Sequence, residues 1–98
     1  DAMNRDLGLP VAAADPTEFL ARFASELDLG QATRRRARDL ATRAVEQGHA
    51  NGRNPSGVAA GALYLAARRE GESVTQAEAA EVADVTAVTV RTTFQALQ

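Results

Sequence analysis

The sequence predicts an all-α protein of five helices, the last two forming a helix-turn-helix. Three observations carry that prediction. Apolar residues recur at spacings of three and four through most of the chain. The stretches are bounded by helix-start and helix-stop residues, among them Asp15-Pro16, Gly30, Gly48, Asn54-Pro55, Gly71 and Thr75. No run shows the strict alternation of a half-buried strand, and the β-branched residues fall at helical spacing or in turns.

The 98 residues suffice for one domain with a single core. A hydrophobic fraction of 45% with only 4% aromatic residues makes that core mostly Ala, Val and Leu, a composition suited to closely packed helices. The chain has no cysteine, which excludes disulfides, thiolate metal sites and a catalytic thiol. No apolar run approaches the roughly 18 residues of a membrane span, and no secretory signal is recognisable. A soluble, cytoplasmic monomer with no cofactor and no membrane contact is expected. The net charge of −2 counts against a strongly basic nucleic-acid binder, so the placement of charge matters more than its sum. All 11 basic residues are arginine. An Ala- and Arg-rich, Lys-free composition is of the kind a GC-rich, halophilic source produces.

Residues 1–14 read as the end of a preceding unit and a linker. Asn4 to Leu7 fit a last helical turn stopped by Gly8, and Pro10 favours an extended path after it. Asp15-Pro16-Thr17-Glu18 is a helix start, with Asp15 as cap, Pro16 in the first position and Glu18 as the reciprocal partner. Phe19, Leu20, Phe23, Ala24 and Leu27 then form one apolar stripe, ended by Asp28-Leu29-Gly30.

A second helix is expected from Gln31 to Gln47, burying Ala37, Leu40, Ala41, Ala44 and Val45 before Gly48. Arg34, Arg35 and Arg38 fall largely on its other side. They read either as a solvated face partly paired through Asp39 or as a patch for phosphates. His49, alone in a polar turn, reads as surface. Asn54-Pro55 opens a third helix, and Gly57 to Ala67 is apolar on every face, which marks a central, buried helix. The Tyr64 ring should be buried there with a hydrogen-bond partner for its hydroxyl.

Thr75-Gln76-Ala77-Glu78 is a capping box that starts a fourth helix running to Ala83. Asp84-Val85-Thr86 is the turn, with Thr86 as cap of the fifth helix. Asp84 stands where glycine is usual in a helix-turn-helix and tolerates left-handed geometry better than most residues. Ala80 is the small residue where the helices cross. Ala87, Val90, Phe94 and Leu97 are expected to face the core, leaving Val88, Arg91, Thr92 and Gln95 outside. An apolar Val88 one turn before Arg91 on a water-facing side has a use in a DNA major groove. Valine can touch a thymine methyl, and arginine can bond guanine O6 and N7. Gln76, Thr86 and Thr89 lie near helix N-termini, where they could bond phosphates or base edges. From the residues alone, DNA binding and a helical protein-interaction module remain two open readings.

Arg53 to Ala67, together with Thr75-Gln76 and Val85-Thr86-Ala87-Val88-Thr89-Val90-Arg91, resembles the second cyclin-like repeat of archaeal transcription factor B, the relative of eukaryotic initiation factor IIB. The Asp15-Pro16 entry and the Phe23 to Leu29 run also resemble the start of that repeat, and Asn4 to Pro10 the tail of the first repeat and its linker. The resemblance implies a five-helix cyclin-like box over 15–98, with the helix-turn-helix at 75–97. It implies a general initiation factor that binds promoter DNA with TATA-binding protein, upstream of the TATA box, and helps recruit RNA polymerase. The family's base-reading valine and arginine fall on Val88 and Arg91. Two departures stand out: Ala87 occupies a commonly acidic position, and Thr92-Thr93-Phe94-Gln95 a segment commonly basic or amide-bearing. Fewer cationic contacts imply a shallower salt dependence. The zinc ribbon and first repeat that the family uses upstream are not in this sequence, so this stretch alone should bind DNA weakly. An enzyme is the poorest reading: one histidine, no cysteine, no phosphate-cradling glycine loop and no convergent carboxylates leave no active site.

Overall fold

The computed structural model describes residues 16–48 and 53–98. Asp15 as a cap, the linker at 1–14 and the turn around His49 lie outside them. The described residues form five helices and no strand: α1 (Thr17–Glu26), α2 (Gln31–Glu46), α3 (Pro55–Glu70), α4 (Gln76–Ala83) and α5 (Ala87–Leu97).

The architecture follows from α3. Every residue from Gly57 to Ala67 is buried, and each of the other four helices packs against this one. A helix with no polar face has nowhere to go but the centre, and its alanines and glycines let its neighbours come close. On one side α1 contributes Leu20, Phe23 and Ala24, and α2 contributes Ala37, Leu40, Ala41 and Ala44. From α4 and α5 come Ala79, Ala80, Ala83, Val90 and Phe94. The Arg36–Glu70 ion pair, at 2.5 Å, ties the first half of α2 to the end of α3.

Helix ends are fixed by local chemistry. Asn54 Oδ1 accepts from the Ser56 N–H at 2.9 Å, with Pro55 in the first position of α3. Thr75 and Glu78 make both arms of the capping box, at 3.0 and 2.9 Å. At the other ends, Asp28, Gly48, Gly71 and Asp84 all take positive φ, between 56° and 81°. Three of these ends close with a bond from the following residue back to the last turn: Leu29 to Ala24, Glu72 to Ala67 and Val85 to Ala80.

α2 begins differently. Its N-cap is Gly30, which has no side chain to cap with. The Glu72 carboxylate, arriving from the α3–α4 loop, does the capping instead. It accepts from the Gly30 N–H at 3.2 Å and from the Thr33 hydroxyl. That contact makes Thr33 fully buried without leaving it unsatisfied.

Three sequence expectations are corrected. Val45 is 41% exposed, because the stripe Ala37, Leu40, Ala41 and Ala44 already fills the contact with α3 and Val45 lies past its edge. Ala87 is exposed, not on the core face of α5; the inward positions are Val90, Thr93 and Phe94. Pro16 is the residue before the first helical position, not the first itself, although its φ of −52° and ψ of −31° are already helical.

Candidate nucleic-acid interface

The helix-turn-helix consists of α4, the Asp84-Val85-Thr86 turn and α5. Asp84 holds φ 57° and ψ 46°, the left-handed conformation that allows the chain to leave α4 abruptly. The Thr86 hydroxyl then accepts from the Thr89 N–H at 3.1 Å and starts α5 at a defined residue. From the other side, the Ser56 hydroxyl of α3 lies 3.1 Å from the Ala83 carbonyl and fastens the end of α4 to the start of α3.

α5 is held along its length. Phe94 meets the Tyr64 ring edge-on, with centroids 5.0 Å apart, and the Arg68 guanidinium lies over both rings at 5.6 and 5.8 Å. The same guanidinium donates to the Tyr64 hydroxyl at 3.3 Å, the partner expected for it. The Thr93 methyl sits against Gly61, and that of Thr89 against Gly57.

This anchoring leaves one face outward. Val88 is 58% exposed, the most exposed large apolar side chain of the described residues. Arg91 and Thr92 are exposed beside it, and Gln95 continues the face one turn on. Among the described residues Arg91 has no ion-pair or hydrogen-bond partner, so its five donors point at solvent. The remaining expected contacts are placed less freely. Gln76 is half-buried at the start of α4. The Thr86 and Thr89 hydroxyls lie 3.0 Å from each other, which commits both to the start of α5.

The electrostatics of the face are thin. Arg91 is the only cation of residues 75–98, whereas Glu78, Glu81 and Asp84 are exposed on or just after α4. The arginines of α2 do not reinforce it: α2 packs mainly on α1 and α3, and its Arg43 meets only the far end of α5, lining a depression with Ala96, Leu97 and Gln98. Arg36 pairs with Glu70, Arg43 with Asp39, and Arg34 donates to the Leu29 carbonyl. Arg35 and Arg38 line a shallow depression of about 650 Å³ with Asp39 and Glu70, a mixed-charge surface. Asp39 thus pairs with Arg43 and not with Arg34, Arg35 or Arg38, the arginines expected to share it.

No helix of the described residues is long and apolar enough to cross a membrane. A buried central helix ringed by four others, ending in a helix-turn-helix with an exposed outer face, defines a cyclin-like α-helical repeat. The family model described as the transcription factor TFIIB repeat matches residues 10–98, and the chain belongs to that family. Transcription initiation factor IIB 1 of Halobacterium salinarum is 55% identical over 99% of this chain and 34% of its own length. Transcription initiation factor IIB 2 of Thermococcus kodakarensis is 44% identical over 97% of this chain and 31% of its own. A third relative, transcription initiation factor IIB 2 of Haloferax volcanii, is 44% identical over 95% of this chain and 28% of its own. The chain thus spans about a third of the length of these relatives. All three carry the names of initiation factors, not of enzymes.

Proposed function

We propose that this repeat is the promoter-binding module of a general transcription initiation factor. It acts in the cytoplasm, docks with TATA-binding protein on DNA upstream of the TATA box, and supports recruitment of RNA polymerase. The observation that carries this reading is the outward face of α5. An exposed Val88 one turn before an unpaired Arg91 is poor design for a surface that meets only water. It suits a major groove, where each side chain finds a distinct partner. Thr92 flanks the two readers, and Gln76, Thr86 and Thr89 position the helix.

Arg91→Ala, measured with TATA-binding protein on promoter duplexes, is the test. Loss of a bidentate arginine–guanine contact should weaken binding to the preferred upstream element by about tenfold or more. Binding to a scrambled element should change little. Equal loss on both duplexes would make Arg91 a phosphate contact and remove it from base reading.

A second reading is favoured by the exposed carboxylates Glu78 and Glu81 of α4 and Asp84 just after it: the helix pair as a docking surface for a protein. Equal affinity of the wild type for promoter and random DNA, with tight binding to a protein partner, would select it.

A further inference from the structure

We propose that Gly57 and Gly61 of α3, with Thr89 and Thr93 of α5, form a seat that sets the placement of Val88 and Arg91. Gly61 and Thr93 are then positioning residues for sequence discrimination. The inference rests on the DNA-reading function above and adds what makes that reading selective.

The seat is defined by its tightness. A Cβ built on Gly61 would lie 2.8 Å from Thr93 Cγ2, 3.0 Å from its Cβ and 3.1 Å from the backbone nitrogen of Phe94. The first two contacts involve a β-branched side chain, whose rotamer in a helix is restricted. The third is main chain and cannot rotate aside. Any side chain at 61 therefore displaces α5 itself and not merely a neighbour's tip. Gly57 repeats the arrangement one turn earlier, where a Cβ would lie 3.1 Å from Thr89 Cγ2. Both glycines are four residues apart on α3, and both threonines four apart on α5, so the two helices run in the same sense with methyl groups set into two glycine notches.

The seat lies directly behind the outward face. Thr89 follows Val88, and Thr93 stands two residues after Arg91, so seat and readers occupy the same turns on opposite sides of one helix. A shift of the axis passes undiminished to Val88 and Arg91. Beyond the seat, the Tyr64–Phe94 contact under Arg68 restrains the next turn, so a wedge at Gly61 tilts the helix as well as lifting it. Recognition geometry tolerates about 0.5 Å, less than the shift needed to relieve a 2.8 Å contact.

The experiment compares affinities for preferred and scrambled upstream elements, with TATA-binding protein present, and records each variant's melting temperature. Gly61→Ala should lower the preferred-to-scrambled ratio by about tenfold, the worth of one base contact. Adding Thr93→Ala removes the 2.8 Å methyl contact but leaves the Cβ at 93 and the Phe94 nitrogen, so it should restore the ratio in part, by about threefold, since contacting residues couple. A purely structural role would lower the melting temperature and leave the ratio alone. Should Gly61→Ala fail to fold, Gly57→Ala meets only one side-chain methyl and should give the same loss in smaller measure. A folded variant at either glycine with the wild-type ratio overturns the proposal. A wild type that binds both duplexes equally overturns the DNA-reading function itself, and that result appears before any glycine is changed.

Discussion

Thr93 shows how much one residue of α5 does without touching solvent. It is 2% exposed, and its hydroxyl has no hydrogen-bond partner among the described residues. A buried hydroxyl left unpaired costs roughly 1–3 kcal/mol, whereas Thr33, equally buried, is satisfied by Glu72. Thr93→Val keeps the branched shape and removes the unpaired group. It should stabilise the chain by about 1 kcal/mol in urea titrations while leaving the DNA preference unchanged. The sequence places Thr93 on neither face and Ala87 on the core side, for a physical reason. Within α5 alone Ala87 shares the spacing of Val90 and Phe94 and looks like core. Only the two glycine notches on α3, out of reach of any pattern within α5, turn Thr93 inward and leave Ala87 outside.

At the level of elements, what was legible is what is encoded locally. The capping box at Thr75, the Asn54-Pro55 start, the Asp84 turn and the centrality of α3 each depend on residues within a few positions of one another. The partner of the Tyr64 hydroxyl also lies one turn away, at Arg68. The start of α2 at Gln31 was legible from the stop at Gly30, but what braces it was not, because the Glu72 carboxylate is 42 residues distant. Glu72 has no local signature; it looks like one more loop carboxylate. Glu72→Ala should therefore cost about 1–2 kcal/mol, seen as a lower urea midpoint with an unchanged slope. The same bond ties the loop between α3 and α4 to the start of α2. Of the candidate site, Val88, Arg91 and Thr92 emerge on the outward face as their spacing implied. The hydroxyls of Thr86 and Thr89 turn out to be committed to the cap of α5.

For the whole molecule, charge is distributed against a simple nucleic-acid binder. The outward face offers one cation, and the neighbouring helix offers carboxylates. If this face meets DNA, the logarithm of affinity should fall with the logarithm of salt at a slope no steeper than about −1, reached only where Arg91 neutralises a phosphate and not a base edge, far shallower than for a face with many phosphate contacts. Replacing Glu78 and Glu81 together by glutamine should strengthen binding to preferred and scrambled duplexes by equal factors, since removing repulsion carries no base information. A gain confined to the preferred duplex would show that those side chains face bases instead.

The contact between Tyr64 and Phe94 has one more consequence. The chain has one tyrosine and no tryptophan, so apart from the weak, shorter-wavelength emission of its three phenylalanines its intrinsic fluorescence comes from a single ring. That ring belongs to the central helix and is covered by α5 and by the Arg68 guanidinium. Its emission is thus a built-in optical gauge of whether α5 is docked on the central helix, readable in the unlabelled protein.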